Sequence, residues 1–365
     1  MKRRMALYIL LALTVLLLAD GKYGLSNSLA PYRHLVTFEG IEGEGLEKSG
    51  NLRGVLGPGE VLKIRNSFGH VDILGTPETT EAQLDYSIYV YATSESQGAA
   101  YLDELGVTAV RTPDGLDVCL VEPGERPKDI RQVRVDISGS IPSGARVEVS
   151  NNGRAHIRGV SGPSVVNNAF SDTTIEDIQG DLHVDAAFTD LLVTGIRGEL
   201  MVEGDYGASS ISNIDGNVLV ESDYRLTSLS SVSGDVEADS SYGGIKVNQV
   251  DGSFKAMGSF SVIGGNHIAG SAVVNTEYGT VHLEAVRRDM IVDARRSSVM
   301  IVLDQVPDHR IYLETENGDL TLGGSLSDLQ PISGEAGKKM VSTVVGAGTH
   351  SIEVRNTQGS IEISQ

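Results

Sequence analysis

The chain predicts an all-β fold: a parallel β-helix, or β-solenoid, with 18-residue rungs, preceded by a β-rich N-terminal section. Two columns of residues in one register predict it. Phe170, Phe188, Tyr206, Tyr224, Tyr242, Phe260 and Tyr278 stand 18 residues apart, and Gly162, Gly180, Gly198, Gly216, Gly234, Gly252 and Gly270 keep the same step eight residues earlier. A fixed period in this range marks a stacked repeat, whose units bury their apolar side only against neighbours. The third observation is the pattern inside each unit. From Gly180 to Asp185, Leu182 and Val184 alternate with polar residues, as in a strand with one buried face.

The same places hold Leu200 and Val202, Val218 and Val220, Val236 and Ala238, and Phe254 and Ala256. A second apolar pair follows in each unit: Val193 and Ile196, Ile211 and Ile214, Leu229 and Val232, Val247 and Val250, Leu283 and Val286. Each unit therefore makes two or three short strands and their corners. It is too short for a βαβ crossover, which takes about 30 residues, and has no helical period. Glycine at the first place suits a corner that needs positive φ or close backbone approach. The aromatics read as a structural ladder filling a corner, against the alternative of an exposed sugar-stacking stripe. Stacking between rungs would add about 0.5–1.5 kcal/mol per pair beyond burial.

The repeat fades at both ends, as capping requires. Arg288 and Arg296 replace the glycine and the aromatic in one unit, and Asn152 takes the aromatic place in another. Leu62–Ile73, Tyr312–Leu322 and Ile352–Ile363 keep the rung pattern without the strict period. Pro113-Asp114-Gly115 predicts a hairpin between alternating runs. Residues 94–105 predict a short helix with Ser94 as N-cap, and Gly324–Lys339 reads as a loop. The expected organisation is 1–21 signal peptide or N-terminal membrane anchor, 22–55 linker, 56–143 β-rich section, 144–305 regular solenoid, and 306–365 C-terminal rungs and cap.

Lys2, Arg3 and Arg4 precede the uncharged run Met5–Ala19. That length suits a signal h-region better than a spanning helix of about 20 residues, and Ala19-Asp20-Gly21 offers small residues for cleavage. A retained anchor is the alternative; the lipoprotein kind would need a cysteine just after the run. The single cysteine, Cys119, lies instead in a strand segment and reads as a small buried hydrophobe. Without tryptophan, and with 5% aromatics, the chain suits a narrow solenoid filled by Val, Ile, Leu and Ala better than a membrane barrel with aromatic girdles.

The net charge of −20, from 49 acidic and 29 basic residues, argues against nucleic-acid binding and against electrostatic attachment to anionic lipid. Part of the acid is in register: Asp185, Glu203, Glu221 and Asp239, with Asp205 and Asp223 two places on. This column reads as a solvated face; weak Ca²⁺ binding is the sharper alternative, but GGxGxD nonapeptides and EF-hand loops are lacking. No metal ligand, cofactor-binding residue or cofactor is therefore assigned.

No catalytic residue is assigned either. HExxH, GxSxG and phosphate-binding glycine loops do not occur, and uninterrupted rungs leave little to wall a cleft. His183 and His282 fall at outward places, and Asp172 and Asp190 suit corner capping.

The run Val135–Gly159 (VDISGSIPSGARVEVSNNGRAHIRG) resembles the bacterial putative-adhesin family of β-strand repeat proteins, related to auto-transporter adhesin head domains. The habit of strand, Pro-x-Gly turn and repeated strand–Asn/Gly turn–strand units covers residues 56 to 365. The resemblance implies an exported or membrane-tethered β-solenoid and brings no catalytic residues. The chain is thus expected to be a non-enzymatic envelope or surface interaction module that presents flat β faces and its ends to a protein or glycan, touching membrane only through an N-terminal anchor. A carbohydrate-active β-helix enzyme and a scaffold self-associating end to end by strand addition are the alternatives.

Overall fold

The structure is a computed structural model that describes residues 45–304 and 308–365. The segment 1–21, with its export signal or anchor, lies outside the described residues. Residues 45–365 form one compact unit built of two long sheets, of 15 and 16 strands. Each rung gives one strand to each sheet. In the unit that opens at Gly198, Leu200–Glu203 lies in one sheet, the chain turns through Gly204–Tyr206, and Gly207–Asp215 lies in the other.

Alternation decides which face each strand buries. Leu182, Leu200 and Val218 are successive partners in one sheet, as are Val193, Ile211 and Leu229 in the other, each 18 residues beyond the last. All six are at most 3% exposed. The buried apolar side chains form one continuous cluster from Leu56 to Ile363, and each Val, Ile or Leu so buried contributes about 1.5–3 kcal/mol. The strands are parallel because every turn of the chain runs the same way round.

The glycine column works by close approach. A Cβ on Gly234 would stand 2.4 Å from the Gly216 carbonyl oxygen, and one on Gly270 would stand 2.5 Å from that of Gly252. Within the column only Gly198 and Gly216 have positive φ, so crowding between rungs explains the glycines better than backbone freedom does.

Both ends depart from sequential stacking. The rung Val61–Arg65 and Val71–Thr76 is interior: Val61 pairs with Gly115 on one side and Arg146 on the other, and Val71 with Ile137 and Ala155. Beyond it lie antiparallel strands Leu46–Val55, Glu81–Ala92 and Ile130–Pro142 in one sheet, and the hairpin Gly106–Thr112 with Gly115–Val121 in the other. At the C-terminus, His350–Thr357 inserts between Met290–Arg295 and His309–Glu316, and Ile361–Ser364 between Ser298–Val302 and Leu320–Leu322. The Ile352–Ile363 copy is thus an inner rung.

Three expectations are corrected. Residues 46–55, read as the end of a linker, are a strand whose Leu46, Lys48, Gly50, Leu52 and Gly54 are half-buried; glycines and a lysine in that alternation hid it. Cys119 is half-buried, because it alternates with the buried Val118 and so points outward. The helix Glu95–Glu104 does begin after Ser94, yet that side chain caps nothing and instead meets the Ser96 hydroxyl at 3.2 Å.

Candidate interaction site

The aromatic column is a continuous stack. From Phe188 to Tyr278 the ring centroids are 4.8–5.0 Å apart with planes within 6° of parallel; Phe170 joins at 5.7 Å. Each of the seven residues sits in left-handed backbone, with φ between 54° and 68°. That conformation turns the chain from one sheet to the other and aims each ring outward, at roughly 1–2 kcal/mol per non-glycine residue. The rings are half-exposed, from 39% at Tyr278 to 54% at Tyr242 where the exposure is large. Their faces are occupied by one another, so the stack offers solvent its edges and tyrosine hydroxyls. This geometry fits the ladder reading and disfavours sugars stacking on ring faces.

Arg296, which breaks the aromatic pattern in sequence, extends the stack in space. It has φ 50° and holds its guanidinium 5.1 Å from the Tyr278 ring centroid, a cation–π contact, while also bonding the Tyr278 hydroxyl and, at 2.7 Å, Gln358 Oε1.

Beneath the stack lies Arg225, 1% exposed, at a place held by Gly207 and Gly243 in adjoining rungs. Its Nη2 donates to the carbonyls of Ala186 at 2.6 Å and Tyr206 at 3.2 Å, and its Nη1 to Ser209 Oγ at 2.9 Å. Burial lowers its pKa from the ordinary arginine value, with Asp190 and Asp205 opposing. It is an interior peg for corner carbonyls.

The acidic column is in register: Asp185 pairs with Glu203, Glu203 with Glu221, and Glu221 with Asp239. Burial, then the nearby Asp223, pushes the Asp239 carboxyl up. Asp205 and Asp223 belong to the corners, accepting bonds from the backbone N–H of Asp223 at 3.0 Å and Ser241 at 2.9 Å. Asp190 likewise accepts from Ala208 N–H at 3.0 Å. Among the described residues no three His, Cys, Asp or Glu side chains converge as ligands of one cation. His183 is half-buried, 3.6 Å from Glu203, and His282 is exposed.

A second left-handed column was missed in the sequence. Asp177, Gly195, Asn213, Ser231, Gln249, His267 and Ala285 share φ between 53° and 72° and are skipped by the strand pairing, as where Glu176 meets Thr194 and Ile178 meets Ile196. Each is a one-residue left-handed kink stacked on the same kink of the next rung, with the register unchanged across it. The signal was present: the second apolar pair of each unit, as in Val193 and Ile196, is three residues apart, where a plain strand would space it by two. These kinks border a groove of about 800 Å³ that crosses successive rungs, with Arg197, Asp215, Ser233, Asp251 and Arg287 along it. Side chains bond along its length, Ser231 Oγ to Gln249 Oε1 at 3.3 Å and Ser233 Oγ to Asp215 Oδ1 at 3.0 Å.

No family model matches the chain, and no curated protein matches it. Solved structures do match. A putative cell adhesion protein from Clostridium sporogenes is 12% identical, with 87% of this chain and 100% of that one covered and a TM-score of 0.18. A putative adhesin from Parabacteroides distasonis is also 12% identical, over 71% and 98%, with a TM-score of 0.28. A putative lipid binding protein from the same organism is 10% identical, over 88% and 97%, with a TM-score of 0.27. At these identities and TM-scores neither a family nor an activity is carried over to this chain.

Proposed function

We propose that this chain is an exported, non-enzymatic β-solenoid that serves as an adhesin-like interaction module at the cell envelope or surface. One observation carries the reading: from Ser164 to Val302 the strands of both sheets pair at an unchanging offset. Side chains of equivalent place therefore line up in straight columns repeated at one strand spacing. A surface of that kind suits many weak, identical contacts with a repetitive partner, where linkage of contacts multiplies affinity. The non-enzymatic reading is supported by the uninterrupted 18-residue step over this stretch, which inserts no long loop to wall a cleft. Export rests on the Lys2-Arg3-Arg4 and Met5–Ala19 pattern; no helix among the described residues is long and apolar enough to cross a membrane.

The test has two arms. Fractionation of cells expressing the full chain should place it outside the cytoplasm, and recovery in the cytosol would overturn export. Labelled protein should bind isolated envelopes saturably, with loss on heat unfolding; unsaturable or absent binding would overturn the interaction role.

A further inference from the structure

We propose that the groove beside the left-handed kink column binds a linear, neutral polysaccharide laid along the successive rungs; the inference deepens the interaction role above and rests on it. The groove, about 800 Å³, is within the size range of ligand sites.

The first support is the choice of residues. The kink needs left-handed backbone, which glycine adopts without strain, and the chain holds 43 glycines. Glycine takes the place once, at Gly195, and the buried Ala285 once, while at the five places between and before them Asp177, Asn213, Ser231, Gln249 and His267 accept φ of 53–58°. Their side chains, exposed at the groove, are carboxylate, amide, hydroxyl and imidazole. Shape alone would be met by glycine. Unlike the aromatics of the other corner, these exposed polar side chains fill no ladder of rings, and hydrogen-bonding groups kept on strained backbone at five of the seven places point to a ligand.

The second support is charge and polarity. The groove is lined by Asp177, Asp215, Asp251 and Asp304 against Arg197 and Arg287, and its large apolar members Ile196, Ile214, Val232 and Val250 are buried beneath it. A lipid or an amphipathic helix would find no apolar trough there. A polyanion would meet carboxylates on a molecule of net charge −20.

The third is register. Successive rungs lie about 4.8 Å apart, whereas an extended peptide advances about 3.3–3.4 Å per residue. A peptide along the axis would drift out of step within a few residues, leaving its N–H and C=O groups without matched partners. Sugar rings carry hydroxyls that both donate and accept all along the chain, so a polysaccharide keeps its bonds at any offset.

The experiment removes the side chains without harming the backbone. In the full-length protein, Asn213→Gly, Gln249→Gly and His267→Gly combined should leave the thermal midpoint unchanged or raised, because each replacement relieves strain. Affinity electrophoresis through gels containing soluble neutral glucan, xylan or mannan should show retardation of the parent chain. At least one of these polymers should bind the triple variant about tenfold more weakly or worse. Polygalacturonate should not retard either protein. No retardation of the parent by any neutral polymer, equal retardation of parent and variant, or stronger retardation by polygalacturonate would each overturn the proposal. So would an extended polar peptide that competes for the groove in place of glycan. Envelope binding that persists in the triple variant, with no glycan retardation of the parent, would sink the groove and leave the interaction role standing.

Discussion

At the scale of single residues the molecule is governed by places where a side chain meets its counterpart one rung away. Gly234 illustrates it. Gly234→Ala would drive a methyl to 2.4 Å from the Gly216 oxygen and should lower stability by about 2 kcal/mol in urea unfolding. Gly106→Ala, with open space around it and ordinary φ, should shift stability by less than about 0.5 kcal/mol. Similar losses at both sites would mean that packing between glycines does not hold the corner. The aromatic corner makes a less intuitive prediction. Tyr242 stacks on two rings and carries a φ of 58°, so Tyr242→Ala loses stacking while keeping the strain, and Tyr242→Gly loses stacking but relieves it. The glycine variant should be the more stable of the two by about 1 kcal/mol. Arg225 is the converse case: Arg225→Met should cost about 2–4 kcal/mol, because the carbonyls of Ala186 and Tyr206 would lose a buried donor. A neutral result by calorimetry would show that those carbonyls find other partners. Arg225 shows where sequence reading stops, since a lone arginine in a strand reads as surface.

At the scale of elements, strict alternation made nearly every rung strand legible, and the Pro113–Gly115 turn located the hairpin. What alternation concealed is the left-handed kink, although Ile211 and Ile214 already carried the odd spacing. Order in space was less legible than order in the chain. Ile352, Val354, Ile361 and Ile363 are fully buried between earlier rungs, so truncation after Ala347 extracts an inner layer. Those four side chains represent on the order of 6–12 kcal/mol of burial. The truncated protein should lose its cooperative unfolding transition, or show it at a thermal midpoint lower by tens of degrees. A midpoint within a few degrees of the parent would contradict the interior placement.

For the whole molecule, pH separates the middle from the C-terminal end. Asp289 is held below the usual carboxylate range chiefly by the Ser351 backbone N–H, at 2.7 Å, and burial lowers His309. A depressed carboxylate contributes stability that is present above its unfolded pKa and lost as pH falls through its folded one. A histidine held neutral by burial acts in the same direction, because the unfolded chain takes up the proton first. The C-terminal end should therefore loosen on acidification, beginning below about pH 6.5 and further below about pH 4. The raised Asp239 has the opposite sign, so protonation there favours the fold. Hydrogen exchange at pH 7 and pH 4, corrected for intrinsic rates, should show lost protection in His309–Glu316 and His350–Thr357 and retained protection in Val218–Ser241. Uniform loss would refute the separation.

Rung length, the two-column register, inward and outward faces and the acidic surface all follow from the amino-acid order, because a stacked repeat makes each residue's neighbour the residue one period away. The interior placement of the end rungs, the arginine peg, the cation–π end of the ladder and the groove do not, because each depends on contacts between residues at other separations or on the backbone conformation at one point in the strand. A repeating sequence states local geometry many times over; where the ends close and where the surface becomes concave are settled by packing between rungs in three dimensions.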